Sequence, residues 1–218
     1  MTFRILTANV FFGRVSASTL EQLVERHSPD AMAVQELVPP LDTTLHSLFG
    51  YGAVAPRDEH LSIGLFSSRP MTFDQLPLAS HPALIGRLGE ELEIIAVHLP
   101  APQTLPPWTT FRLRGEDVAA LSAFFAQDSE RGRILIGDLN SPPLWPAYRR
   151  LSRHLQDAPV LVTRRTGSRP ARTWGPWVGS PRLFRIDHVL VSGIRPQATS
   201  VVPLPGSDHS AVIVDFAL

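Results

Sequence analysis

Six short polar clusters, each at one end of an apolar, strand-like run, constrain this chain more than any other feature. They are Thr7-Ala8-Asn9, Gln35-Glu36, His98-Leu99, Gly137-Asp138-Leu139-Asn140, Ile186-Asp187-His188 and Ser207-Asp208-His209-Ser210. Asn9, Glu36, His98 and Asp138 stand where an apolar run ends, whereas Asp187 and Asp208-His209 stand where one begins. If the two strands that open with a cluster lie antiparallel to the others, all six clusters meet at one rim. That predicts mixed sheets with a single functional edge, not an all-parallel, doubly wound fold. Together the clusters supply Asn, carboxylates and imidazoles, the groups needed to hold a hard divalent cation and split a phosphoester.

The pattern between the clusters is strand-rich. A strand over 3–10 is followed by a helix capped by Ser18 and running to His27, with Leu20, Leu23, Val24 and His27 on one face. Ala31–Val34 reads as a short buried strand, and Leu41–Phe49 as a second helix. Strands are expected at 52–56, Leu61–Ser67, Met71–Leu78, Ala83–Leu88 and Leu92–His98, divided by Gly, Pro and Asp turns. A helix near 110–127, a strand at Ile134–Ile136 and a helix over Trp145–Leu155 come next. The Arg-rich stretch 163–183 reads as a long loop, of a length uncommon unless it serves a function. Strands over Arg185–Val191, Thr199–Leu204 and Ser210–Phe216 close the chain.

Length and composition narrow the field. The 218 residues suit one domain over 1–218, and 44% hydrophobic content suffices for a sizeable core. No apolar run approaches the roughly 18 residues a membrane span needs, and Met1–Leu6 reads as the start of the first strand, not a signal peptide, so cytoplasm is the default expectation. Zero cysteine excludes disulfides, thiol nucleophiles and thiolate zinc sites. All 20 basic residues are Arg, which removes P-loop lysine and Schiff-base chemistry. The net charge of zero is uneven: residues 149–185 carry nine Arg against Asp157 alone. A basic segment beside an acidic site suits an anionic substrate, though a solvated Arg face explains the charge equally well.

Glu36, ending a buried strand, is the first candidate metal ligand, with Asn9 placed to orient it or a water without adding charge. With Leu139 turned into the core, Asp138 and Asn140 project to one side, Asp138 to take a proton from water and Asn140 to donate to a phosphoryl oxygen. The glycine before them permits close approach of backbone and substrate. An Asx turn leaving a strand explains Asp138 and Asn140 equally well, but not the other clusters. Asp187 is the natural carboxylate behind His209, Asp208 is free to reach a cation, and His98 is a second donor to phosphate. His188, next to Asp187, points to the opposite face of a regular strand and reads as structural.

The ordered set of motifs, from Thr7-Ala8-Asn9-Val10 to Ser207-Asp208-His209-Ser210-Ala211-Val212, resembles the endonuclease/exonuclease/phosphatase superfamily. That resemblance implies an α/β (α+β) fold, a four-layer sandwich of two packed mixed β-sheets flanked by helices. It implies Asn9 and Glu36 as a metal-site pair, His98 as a phosphate contact, and Asp138 with Asn140 as water-orienting and phosphate-binding groups. It further implies Asp187 as the carboxylate behind a histidine, and Asp208 with His209 as the terminal metal and general-base pair. Thr173-Trp174 looks like the family's threonine-tryptophan stretch, and Glu59 is a weak match to a carboxylate supporting His98. Arg4 replaces the lysine common in repair members, and Leu37 follows Glu36 without the Thr-Lys continuation of abasic-site endonucleases. No tyrosine lies near the His98 strand, which argues against abasic-site repair. The expectation is a Mg²⁺- or Mn²⁺-dependent phosphoester hydrolase, a phosphodiesterase or nuclease acting on DNA or RNA. A phosphatase for phospholipid headgroups or small phosphoesters, or a non-catalytic module binding phosphorylated ligands, are the alternatives. No protein partner is implied. Trp174 and Trp177 are placed to stack on bases, to enter a lipid interface or, more simply, to anchor their loop.

Overall fold

The computed structural model describes residues 2–56, 62–102 and 107–218. Its first half runs β1 (Thr2–Asn9), α1 (Ala17–His27), β2 (Ala31–Leu37), α2 (Pro39–Leu48), β3 (Tyr51–Pro56), β4 (Ser62–Ser67), β5 (Thr72–Leu76), β6 (Ala83–Leu88) and β7 (Leu92–His98). The second half runs α3 (Pro107–Phe125), β8 (Gly132–Asp138), α4 (Pro146–Leu151), β9 (Gln156–Asp157), α5 (Ala158–Thr166), β10 (Asp187–Ser192), β11 (Pro196–Pro203) and β12 (Ser210–Ala217).

Two six-stranded sheets form, in the orders β11-β12-β1-β2-β4-β3 and β5-β6-β7-β8-β10-β9. Both are mixed. β1 and β2 are parallel because α1 crosses between them, and β7 and β8 are parallel because α3 does the same. β12 lies antiparallel to β1, and β10 antiparallel to β8. The strands that open with a cluster therefore run against those that close with one, and the clusters share one rim as their polarity predicts.

Strand alternation sorts the apolar residues into three layers. Phe3 and Ile5 of β1, Ile94 and Ala96 of β7, Ile134 and Ile136 of β8, and Val212 and Val214 of β12 meet between the sheets. The opposite faces of β1 and β2 receive Leu20 and Leu23 of α1 and Leu41 and Leu45 of α2. The opposite faces of β7 and β8 receive Val118, Leu121 and Phe125 of α3 and Leu151 of α4. This is the helix–sheet–sheet–helix sandwich expected from the family resemblance.

Several boundaries differ from the sequence reading. Ser16, not Ser18, caps α1, its side chain accepting the Thr19 N–H at 3.1 Å. The helix expected through Leu155 stops at Leu151. The expected loop from 163 is shortened by α5, which Asp157 caps through the Val160 N–H at 2.9 Å, with Pro near its start and Gly167 closing it at φ 71°. Glu59 lies outside the described residues.

Candidate active site

The parity that fills the inter-sheet core also aims the polar residues that follow it. Asn9 continues the Phe3–Ile5 face of β1, His98 the Ile94–Ala96 face of β7, and Asp138 the Ile134–Ile136 face of β8. Asp187 shares the face of Val189 and Val191, while His188 turns away. There His188 Nε2 pairs with the Ser141 carbonyl at 2.9 Å, consistent with a structural role.

Glu36 breaks the rule. By alternation it belongs on the helix side with Met32 and Val34. A register shift between Val34 and Leu37 inserts an extra residue, and Glu36 takes φ 58°. Its Oε1 thereby accepts from Asn9 Nδ2 at 3.1 Å, and its Oε2 from the Phe12 N–H at 2.8 Å. Phe11 and Phe12 are also left-handed, at φ 48° and 52°, which aims successive N–H groups at Asn9 Oδ1 and Glu36. Such strain gathers where surrounding structure over-determines the backbone.

Asp138 is the hub. Its Oδ2 accepts from Asn9 Nδ2 at 3.2 Å and lies 3.6 Å from His98 Nε2 and 3.8 Å from His209 Nε2. Its Oδ1 accepts the Asn140 N–H at 2.7 Å, so the Asx turn and the functional placement are one geometry. Asn140, at φ 46°, turns its amide to His98 Nε2 at 3.3 Å and the Leu99 carbonyl at 3.0 Å. Gly137, expected to admit substrate, instead admits a strand: at φ 135° a Cβ would overlap the Val97 carbonyl of β7.

Asp187 accepts from His209 Nδ1 at 2.9 and 3.1 Å through its two oxygens. Burial works against a charged His209 ring, but Asp187 first, then Asp138 and Asp208, outweigh it and raise the ring to about 9. Burial and the charge of Asp187 push the Asp138 carboxyl up to about 7, against the opposing pull of His209. Asp208 accepts from Trp174 Nε1 at 3.0 Å through Oδ2, while its buried Oδ1 has no hydrogen-bond partner and lies 3.9 Å from His209 Nε2. Trp174 thus anchors its loop, stacked on Phe184 at 6.1 Å, and Trp177 stands exposed.

A divalent cation fits this donor set. Glu36, Asp138, Asp187 and Asp208 are all buried, with His98 and His209 as the imidazoles beside them. The upward push on Asp138 and the Asp208 oxygen that accepts no hydrogen bond both mark a place where a cation would satisfy the donor set. Among the described residues, Asp138, Asp187 and His209 also bring ligand-type atoms within 4.8 Å of one another. There the ring nitrogen nearest Asp187 already holds its proton for that carboxylate, so the oxygens of Glu36 and Asp208 suit a hard cation better.

The sequence matches the Endonuclease/Exonuclease/phosphatase family model over residues 6–209. The chain belongs to that family. No curated protein matches it in sequence. As a member of the endonuclease/exonuclease/phosphatase family it shares its fold with distant solved relatives. A functionally unknown conserved protein from Enterococcus faecalis V583 is 17% identical, with TM-score 0.75 and 99% of each chain covered. The human Nocturnin catalytic domain with bound sulfate is 19% identical, with TM-score 0.76 over 99% of this chain and 94% of that one. TDP2 from D. rerio, complexed with a single-strand DNA product, is 16% identical, with TM-score 0.76 over 100% and 99%.

Four residues that hold the site together escape the sequence reading as site residues. Arg114 of α3 is buried and donates to the carbonyls of Pro100, Leu139 and Asn140, tying the loop after His98 to the loop after Asp138. Arg182 donates to the carbonyls of Ser207 and His209. Ser207 donates to the Asn9 carbonyl at 2.8 Å and accepts the His209 N–H at 2.9 Å. Thr173 Oγ1 accepts the N–H groups of Ile186 and Asp187, which gives the Thr173-Trp174 resemblance its physical content. Ser207 had a signal, its place in a cluster; the two arginines had none, because each acts on carbonyls distant in sequence.

Proposed function

We propose that this chain is a divalent-metal-dependent phosphoester hydrolase, with phosphodiesters as the favoured substrates, and that Mg²⁺ or Mn²⁺ is its metal. The observation that carries the reading is the hydrogen-bonded cluster of Asn9, Glu36, Asp138, Asn140 and His98 with the Asp187–His209 pair beside it, His209 Nε2 lying 3.8 Å from Asp138 Oδ2. Glu36 and Asp208, with Asn9 beside them, would hold the cation, which would neutralise charge building on the phosphoryl oxygens.

The remaining work belongs to side chains. Asp138, raised to about 7, is basic enough near neutral pH to accept a proton from the attacking water. His209, kept cationic by Asp187, donates to a phosphoryl oxygen, so the proton acceptor is assigned to Asp138 in preference to His209. His98 and the Asn140 amide supply further donors, and Asn9 orients both carboxylates. Support from relatives is of two kinds: Nocturnin carries a sulfate, a tetrahedral dianion, and TDP2 carries a single-strand DNA product.

The test is hydrolysis of bis-p-nitrophenyl phosphate and p-nitrophenyl phosphate with Mg²⁺, Mn²⁺ or EDTA. The diester should be cleaved in a metal-dependent way, and His209→Ala should lower the rate by roughly 10²–10⁴-fold with folding retained. Cleavage indifferent to EDTA and to His209→Ala would sink the reading.

A further inference from the structure

Twelve large apolar side chains stand exposed among the described residues, and nine of them lie on four segments tied to site residues by sequence, hydrogen bonds or a shared cavity. Phe12 is one, its N–H bound to Glu36. Trp108 and Phe111 lie one turn apart on α3, and Leu144 and Trp145 follow closely on Asn140. Phe111 and Trp145 together line a cavity of about 180 Å³ that reaches Ser141, next to Asn140. The fourth segment, 177–184, hangs from Trp174, which binds Asp208.

Charge along the last two of these segments has one sign. From 139 to 186 the sole acid is Asp157, which is buried against Arg185 at 2.7 Å. Arg149, Arg150 and Arg153 are exposed and make no ion pair among the described residues, and Arg150 lines the same cavity.

We propose that these four segments dock on a lipid bilayer bearing anionic headgroups, and that the chain's substrate is a phosphoester displayed at such a surface. The second clause rests on the hydrolase reading; docking does not. The aliphatic members of the patch decide between anionic partners. Leu144 is 87% exposed, and Val178 and Leu183 are exposed with it. None has a π-face, so a single-stranded polynucleotide, which is held by stacking, would leave them in water. A bilayer interface takes Leu, Phe and Trp alike, while Arg binds its phosphates.

Flotation with vesicles of phosphatidylcholine, alone or mixed with phosphatidylglycerol, tests this in EDTA, where turnover plays no part. The wild type and His209→Ala should float with the mixed vesicles and far less with phosphatidylcholine alone. The pair Trp108→Ser/Leu144→Ser, and separately Trp177→Ser, should bind about tenfold more weakly. Leu48→Ser/Tyr51→Ser, exposed apolar positions outside the four segments, should bind as wild type. Circular dichroism checks that each variant is folded, and a single-stranded oligonucleotide is tested in parallel. Absence of vesicle binding, or equal binding by wild type and segment variants, overturns the proposal. Oligonucleotide binding lost in the segment variants, without vesicle binding, overturns it in favour of nucleic acid. Vesicle binding with no phosphoester cleavage would leave docking standing and remove the substrate clause together with the hydrolase reading.

Discussion

Glu36 reaches the site only by leaving regular strand geometry, at φ 58°. A left-handed conformation costs a residue with a Cβ about 1–2 kcal/mol, and the bulge between Val34 and Leu37 holds it in place. Backbone strain and carboxylate chemistry can be separated at this one position. Glu36→Gly relieves the strain and Glu36→Ala retains it, while both delete the carboxylate. In urea unfolding, Glu36→Gly should be more stable than Glu36→Ala by about 1 kcal/mol, and both should lose diester cleavage. Equal stability would mean that the bulge does not enforce the left-handed turn. Strand parity explains why the sequence marks Asn9, His98, Asp138 and Asp187 as site residues so directly. Each continues an apolar alternation that can be read by eye. Glu36 is legible by its company alone, because the bulge that redirects it leaves no trace in the residue pattern.

The elements were readable where one periodicity dominated and unreadable where two competed. Val160, Val162 and Thr163 are β-branched and Arg164-Arg165 is charged, so α5 offers a weak helical pattern. Its signal is in the ends: Asp157 as cap, Pro159 in the first turn and Gly167 after the last. Asp157 does more than cap. Its Oδ2 accepts from Arg185 Nη1 and from the Tyr148 hydroxyl, both at 2.7 Å, joining α4, α5 and the approach to Asp187. Burial alone would raise this carboxyl, but His188, Arg185 and Tyr148 outweigh burial and hold it below the usual carboxylate range. Its contribution is therefore present above the unfolded value near 4 and lost as pH falls through the lower folded value. Burial also lowers His188, so protonating that ring favours the unfolded chain as pH falls below about 6.5. Both effects act in one direction. Asp138, raised to about 7, titrates the opposite way between about pH 7 and 4, so the loss on acidification from about pH 6.5 should stand out in Asp138→Asn, in denaturant midpoints taken across pH. Asp157→Ala should cost roughly 3–5 kcal/mol at neutral pH, since it removes the cap and strands a buried Arg185. A loss under about 1 kcal/mol would show that the ion pair is no more than a surface contact.

At the scale of the whole molecule, the direction in which each cluster meets its strand requires mixed sheets with one functional rim. Mixed sheets follow because β10 and β12 must run against β8 and β1 to deliver Asp187 and Asp208-His209 to the common rim. The seam between the sheets is where the site lies. One sheet supplies Asn9 and Glu36, and the turn into its β12 supplies Asp208 and His209; the other supplies His98, Asp138 and Asp187. Polar contacts then cross the seam, as in the hydrogen bond from Asn9 to Asp138 at 3.2 Å. Concentrating four buried carboxylates there sets like charges against one another and works against closure of the sandwich. A cation that binds the folded site and not the unfolded chain should reverse that penalty. At one hundred times its dissociation constant it would add about 2.7 kcal/mol, which for a chain of this size is a rise in Tm of roughly 5–10 °C. The comparison is thermal unfolding in EDTA against saturating Mg²⁺ or Mn²⁺, for wild type and for Glu36→Gln/Asp208→Asn. The double variant should melt above the wild type in EDTA, because it carries less opposed charge, and should gain nothing from metal. An equal metal-induced rise in both proteins would place the cation away from Glu36 and Asp208, with the Asp138–Asp187–His209 cluster as the site to mutate next.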